Sequence, residues 1–264
     1  MKREERKCPY CEATERQHSI GKTKAGSRRF RCICCKREYT PNPKKWKYTE
    51  EERSQALRLL LLGNSGRAVG KALGMSKANA YRWAIKAKKG AYGLWISPNT
   101  KTDVFELDEI YWFVGKRKGY ENGVNVYIMT MLSRQPRQIV AFAVDNSVKA
   151  ERIQEMVDNT IPAEKYCTDG GQVYLGVDFI GCHKRNIRDK SDTHNIEGSN
   201  ADIRHYIAGL RRRSRCFFRR IETLIAVLGI FAYAYNKFGA AKLQYRLRHP
   251  DCDRDFHFNH LDYI

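Results

Sequence analysis

Thr193-His194-Asn195-Ile196-Glu197-Gly198-Ser199-Asn200-Ala201-Asp202-Ile203-Arg204 is the stretch on which the reading of the chain turns. Ser191, Asp192 and Thr193 offer side-chain oxygens that can cap a helix start. Ile196, Ile203, Ile207 and Leu210 then recur at i, i+7, i+11 and i+14, one apolar stripe. The pattern predicts a helix that runs on through Leu210 into Arg211-Arg212-Arg213-Ser214-Arg215. Glu197 sits about 100° round from Ile196, at the edge of the stripe. Arg204 lies two turns further on, on the same face. A carboxylate at the rim of a buried face with a cation above it can ligate a metal and steer a phosphate. Alone, the pair reads as a surface Glu and a surface Arg on an amphipathic helix.

Two upstream segments change that balance. Lys165-Tyr166-Cys167-Thr168 is a short strand ending in Asp169-Gly170-Gly171. An acid at a strand tip before paired glycines sits where the backbone can turn sharply and admit a ligand, although an ordinary Asp-Gly turn has the same form. Val104-Phe105-Glu106-Leu107-Asp108-Glu109-Ile110-Tyr111-Trp112-Phe113 is rich in β-formers yet carries three carboxylates. A carboxylate buried in a central strand needs a partner or a metal. Period-2 parity does not say whether Asp108 or Glu109 faces inward, so Glu109 stands as a second-choice ligand. Asn125–Ser133 and Gln138–Val144 read as strands joined by a hairpin at Gln135-Pro136-Arg137, Lys149–Asn159 as a helix, and Val177–His183 as a further strand. Three strands, helix, strand, helix resembles the ribonuclease H-like order, a mixed sheet with helices on both faces. In that order Asp108, Asp169 and Glu197 would converge.

Downstream, residues 204–220 hold seven arginines and no acid. Arg211, Arg212, Arg213 and Arg215 suit bidentate phosphate recognition. Phe217–Phe238 reads as an apolar helix packed on the sheet. Its apolar-rich part, Leu224–Tyr235, is too short for a bilayer, which needs about 20 residues. The tail, residues 251–264, holds Cys252, His257 and His260, and surface histidines are the plainer reading. Cys167, Cys182 and Cys216 read as buried small hydrophobes.

The front of the chain is different in kind. Residues 1–100 carry 24 Lys and Arg against 8 Asp and Glu, whereas residues 101–264 carry 25 against 21. The net charge of +20 therefore sits mostly in front, as in a polyanion-binding module attached to a near-neutral one. Cys8-x2-Cys11 and Cys32-x2-Cys35, twenty residues apart, present four thiolates to one tetrahedral Zn2+, with Cys34 as an extra thiol. So small a segment would draw much of its folding free energy from the metal. Between the knuckles Lys22, Lys24, Arg28, Arg29 and Arg31 surround Phe30, a basic hairpin suited to phosphates. Pro41-Asn42-Pro43-Lys44-Lys45 reads as a linker. Helices from about Thr49, Ser65–Leu73 and Lys77–Lys89, the latter two joined at Gly74-Met75-Ser76, fit a helix-turn-helix. Its third helix offers Lys77, Asn79, Tyr81, Arg82 and Lys86 to a major groove. A helical spacer is the bland alternative.

The charged Met1–Arg6 lacks an apolar core, so no secretory signal is expected. Nine cysteines without one fit a reducing compartment and metal binding. The expected architecture is multidomain α+β: a zinc ribbon over 1–43, a helix-turn-helix over 44–92, a ribonuclease H-like α/β domain with a mixed sheet over 103–250, and a tail.

These motifs together resemble the DDE-type transposases of the insertion sequence one family. The resemblance is carried by the cysteine ribbon before the helix-turn-helix, by Leu107–Gly115, by Cys167-Thr168-Asp169-Gly170, and most specifically by Thr193–Arg220 with Ile203-Arg204-His205-Tyr206-Ile207-Ala208-Gly209-Leu210-Arg211-Arg212. It implies a cytoplasmic, nucleoid-associated enzyme that binds the terminal inverted repeats of its element. Such an enzyme cuts and joins double-stranded DNA with two Mg2+ (Mn2+ substituting), as a homo-oligomer on paired ends. The family's metal-binding triad carries over to Asp108, Asp169 and Glu197, and its basic residue to Arg204. Some members divide the DNA-binding and catalytic halves between two reading frames, whereas here both lie in one chain. Three readings compete: a zinc/helix-turn-helix regulator without catalysis, a ribonuclease H-like nuclease that cleaves without joining, and a tyrosine recombinase.

Overall fold

The structure, a computed structural model, describes residues 7–43, 48–90, 99–115, 123–187, 191–213 and 216–238. The expected tail, with Cys252, His257 and His260, lies outside them, as does Arg215. The chain divides into two compact units, Met1–Thr49 and Glu50–Ile264.

The first unit is a three-stranded antiparallel sheet of β1 (Gln17–Lys22), β2 (Arg28–Cys32) and β3 (Glu38–Tyr39). Among the described residues its apolar cluster is Cys8, Phe30, Cys32 and Tyr39, with Ala13 and Cys35 against it. That is too little to support a fold without a further cross-link.

The second unit opens with α1 (Glu50–Leu61), α2 (Gly66–Ala72) and α3 (Asn79–Gly90). Three acids in the first turn of α1 complement its dipole, and Ser65 caps α2 by accepting the Ala68 N–H. Gly70 lets α2 approach the following turn, since a Cβ there would lie 2.7 Å from the Met75 carbonyl oxygen. The inner faces bury Leu57, Leu60, Leu61, Val69, Ala80, Trp83 and Ala84.

The sheet of this unit has five strands in the order β6-β5-β4-β7-β8. They are β4 (Val104–Val114), β5 (Val124–Ser133), β6 (Gln138–Asp145), β7 (Lys165–Asp169) and β8 (Cys182–Asn186). β4, β5 and β6 form an antiparallel meander, while β7 and β8 run parallel to β4. This mixed α+β arrangement is consistent with a ribonuclease H-like fold. On one face, Phe105 and Leu107 of β4 meet Met129 and Met131 of β5 under α4 (Ala150–Asp158), which contributes Ile153, Met156 and Val157. On the other face α5 (His194–Tyr206) crosses β4 and β5. α6 (Ile221–Phe238) packs on β6 and α3. Asn236 of α6 accepts from the Ile139 N–H and donates to its carbonyl, both at 2.8 Å, closing part of the β6 edge.

Three expectations are corrected. Residues 177–183 are not a strand: Gln172–Gly176 form a 3-10 turn and β8 begins only at Cys182. Gly181 passes so close to the Ala163 carbonyl oxygen that a Cβ would lie 2.2 Å away, and regular pairing starts beyond this crossing. The focal helix does not continue into the arginines. It ends at Tyr206, and a short 3-10 turn, Ala208–Leu210, follows. The Trp112 indole N–H donates to the Gly209 carbonyl at 2.7 Å and draws the backbone out of the helical path. Cys182 is exposed, at the outer edge of the sheet, rather than buried.

Candidate metal centres and nucleic-acid interface

In the first unit the two knuckles bring Cys8, Cys11, Cys32 and Cys35 together, with all four sulfurs within 4.8 Å of one another. Cys8 and Cys35 are 3.6 Å apart and Cys11 and Cys32 3.5 Å. A tetrahedral site with Zn–S near 2.3 Å has sulfurs about 3.8 Å apart, so the residues fit the ion. A backbone hydrogen bond from Cys35 pulls the Cys32 thiol down to about 6, against burial, with help from the Gln17 amide. That favours the thiolate a metal requires at Cys32, whereas, against a backbone hydrogen bond from Ala13, burial and the Cys32 thiol push Cys11 up to about 12. Cys34 is exposed and outside the cluster. Phe30 is in the small core rather than at the surface, and Arg29 pairs with Glu38 across the sheet. Arg28 is exposed.

In the second unit, β4 sets the site. Parallel pairing of Glu106 with Cys167 places Asp108 and Asp169 level with each other just past the last paired position. Neighbouring residues on a strand point to opposite faces. Beyond the paired region, however, Asp169 ends β7 where oxygens from either face can reach it. Asp108, Glu109 and Asp169 each offer an oxygen within 4.8 Å of the others. The Gly171 N–H donates to Asp169 Oδ1 at 2.8 Å, and a Cβ at Gly171 would crowd that oxygen at 2.9 Å. The paired glycines therefore fix the acid's direction. Arg185 of β8 holds the same loop by donating twice to the Gly170 carbonyl.

Glu106 is fully buried and anchors the N-terminus of α5. Its carboxylate accepts from the backbone N–H groups of Asn195 (3.0 Å) and Ile196 (2.9 Å), from the Asn195 amide (2.8 Å) and from Arg134 Nε (2.8 Å). It supplies the anion that a helix start favours. The capping expected of the 191–193 side chains is thus replaced: Thr193 is the N-cap residue but makes no side-chain cap bond, and Asp192 is engaged by Lys184, Lys165 and Arg134.

So placed, α5 brings Glu197, Asn200 and Arg204 to an open trough of about 550 Å³. Asp108, Glu109, His205, Arg211 and Arg212 also line it. Glu197 is exposed in this trough and lies outside the 4.8 Å group, although its charge helps to raise the Asp108 carboxyl. Buried Asn200 donates to Asp108 Oδ2 at 2.9 Å and accepts from Thr130 at 2.9 Å, which fixes the rotamer of the acid. Burial and the neighbouring acids push Asp108 up. Burial, offset by the Tyr174 hydroxyl, pushes Glu109 up to about 7. Tyr174 donates to Glu109 at 2.6 Å. Acids held this close in a partly buried site repel one another until a cation joins them, so the donor set suits a hard divalent ion. Burial, then the Arg212 charge, lowers Arg204, while Asp108 opposes the shift. Arg204 and Arg212 thus put two positive charges beside the acids.

Of the expected groove-reading residues, Lys77, Arg82 and Lys86 are exposed and Asn79 is half-buried. Tyr81 is turned inward. Its hydroxyl accepts the Gly66 N–H at 3.2 Å and its ring meets Phe218 edge-on at 6.2 Å. Arg213 is exposed, on a left-handed turn with φ of 58°. Asn200, Thr130, Tyr174 and Arg134 join the site without having been expected from the sequence. Only Asn200 carried a signal, standing one turn beyond Glu197 on the same helix side.

No protein-family model matches the chain, and no curated protein matches it. Among solved structures, the chain is similar to the crystal structure of the Mos1 strand transfer complex, with a TM-score of 0.31 and 11% identity over 74% of each chain. Among the described residues no helix is long and apolar enough to cross a membrane.

Proposed function

We propose that the chain is a DNA transposase of the DDE type, similar to the insertion sequence one family, acting on the terminal inverted repeats of its own element. The observation that carries this reading is the convergence of Asp108, Glu109 and Asp169 beside a trough lined by Glu197, Arg204 and Arg212. The reaction is hydrolysis of a phosphodiester at the element end, leaving a 3′-OH, followed by attack of that hydroxyl on a target phosphodiester.

Asp108, Asp169 and Glu197 would hold Mg2+, with Glu109 as a further ligand. Mg2+ bound there would activate the attacking hydroxyl and neutralise charge on the leaving oxygen. Asn200 keeps Asp108 in one orientation, and the Tyr174 hydroxyl does the same for Glu109. Arg204 and Arg212 draw the scissile phosphate into the trough and offset its charge. No side chain needs to form a covalent bond to DNA, which separates this reading from a tyrosine recombinase. The exposed Lys77, Arg82 and Lys86 would meet duplex DNA, as would Arg28 beside a structural Zn2+ in the first unit. Simultaneous use of two ends requires a homo-oligomer.

The test is cleavage and joining, with Mg2+ or Mn2+, on a duplex carrying the inverted repeat that flanks the coding sequence. Asp108→Asn, Asp169→Asn and Glu197→Gln should bind this end and neither cut nor join. Equal reaction by wild type and variants would make the carboxylates structural and leave a DNA-binding regulator. Cleavage without joining would instead favour a ribonuclease H-like nuclease.

A further inference from the structure

On the face of β4 that carries Glu109, the helical cover among the described residues stops short. Phe105 and Leu107 on this face are 0% and 1% exposed beneath α4. Continuing by steps of two, each roughly 6.6 Å along the strand, Glu109 is followed by Tyr111 and Phe113. Tyr111 is 49% exposed, and neighbouring Phe217 is 40% exposed. A soluble protein ordinarily covers a sheet face that carries large aromatic rings.

The rings are nevertheless held in place. Tyr111 packs against Tyr127 of β5 at 5.3 Å, and its hydroxyl donates to Asn125 at 3.0 Å. Phe113 meets Phe217 at 6.1 Å. The segment bearing Phe217 is tied to the end of β4, because the Gly115 N–H donates to the Phe218 carbonyl at 2.7 Å. Next to it in sequence stand exposed Arg219 and Arg220.

We infer that this strip of Tyr111, Tyr127, Phe113 and Phe217 is a stacking platform for unpaired bases of single-stranded DNA leading into the acidic trough. Fixed, partly exposed rings with exposed arginines adjacent in sequence suit a single strand. The rings accept the π-face of any base, and the guanidinium groups meet the backbone. Glu109 names the occupant: it lies one step from Tyr111 on the same strand face, and beyond the β4–β7 pairing its carboxylate also reaches Asp108 and Asp169 and lines the trough on the other face. Bases two to four rises of 3.4 Å from the scissile phosphate would lie over Tyr111 and Phe113. The inference rests on the proposed DNA-processing function. It adds that the strand is unpaired next to the site.

The test uses the full chain without divalent ion, so binding is read apart from cleavage. Fluorescence anisotropy compares a labelled oligothymidylate with a labelled blunt duplex. Tyr111→Leu combined with Phe217→Leu keeps apolar bulk and removes the rings. It should weaken single-strand binding by about 5- to 100-fold and leave duplex binding within about twofold. Tyr111→Trp should retain single-strand affinity. Unchanged single-strand affinity in the double variant overturns the inference, and so does an equal loss on duplex. A shift in oligomeric state on a sizing column with unchanged single-strand affinity overturns it in favour of an interface between copies of the chain. If the single-strand effect appears while the inverted-repeat duplex is never cut, the platform stands and the transposase reading falls.

Discussion

Removing the Glu106 carboxylate should cost more than removing any of the acids in the trough, although Glu106 touches no substrate. The side chain is 0% exposed and accepts four hydrogen bonds, three from Asn195 and Ile196 in the first turn of α5 and one from Arg134. Glu106→Ala leaves three neutral donors and a guanidinium facing a cavity. A buried donor left unsatisfied costs about 1–3 kcal/mol, and breaking a buried ion pair about 3–5 kcal/mol. These losses overlap, and Arg134 is partly exposed and still reaches Asp192. We therefore expect a net loss of about 4 kcal/mol. Glu106→Gln keeps the shape, but its amide turns a donor toward donors and should cost about 2–3 kcal/mol. Urea unfolding followed by far-UV circular dichroism measures the loss as a fall in midpoint at constant slope. Pairing Glu106→Gln with Arg134→Met in a double-mutant cycle should give a coupling of at least about 1 kcal/mol. A loss below about 1 kcal/mol for Glu106→Ala, or additive single variants, would refute the claim that this carboxylate fixes α5 to the sheet.

Three further outcomes follow from the site geometry. Chelation of Zn2+, or Cys11→Ser, should unfold the first unit, whereas Cys34→Ser should retain one bound zinc per chain by elemental analysis. Asn200→Ala should leave binding of the inverted-repeat duplex unchanged while slowing Mg2+-dependent cleavage about 10- to 100-fold, the usual range for groups that orient a metal ligand. Retained cleavage would remove Asn200 from any orienting role. Tyr174→Phe deletes only the hydroxyl that holds Glu109, so calorimetry should show Mn2+ affinity weakened about tenfold or more. Unchanged affinity would place Glu109 outside the metal site.

Much of this molecule is legible because its decisive signals are local. The C-x2-C pairs at Cys8 and Cys32 bring four sulfurs together once a short hairpin closes. Apolar periodicity on either side of Gly74 makes three helices, and the alternation of β-formers from Val104 to Val144 makes a meander. Asp169 at a strand tip before Gly170-Gly171 is fixed by the Gly171 N–H, a bond two residues long. Elsewhere non-local contacts override local pattern. The Leu210–Arg215 stretch is helical in pattern, but a bond from Trp112, about a hundred residues away, ends the helix. Ser191–Thr193 look like caps, but Glu106 reaches across from β4 and takes that place. Tyr81 lies among groove-reading candidates, yet the approach of α2 and the ring of Phe218 turn it inward.

The amino-acid sequence by itself determined which residues were available for chemistry: four thiols at metal spacing, carboxylates on two strands and a helix, and an acid-free run of arginines. Each is a matter of residue type and short spacing. Only the tertiary structure decided which carboxylates meet. Period-2 alternation sets Asp108 and Glu109 on opposite faces, and the choice between them was open on sequence alone. It closed only because β7 stops pairing with β4 after Cys167, although it stays paired with β8, and leaves Asp169 within reach of both. The register between two strands separated by sixty residues is set by packing across the whole sheet, and nothing local to either strand encodes it.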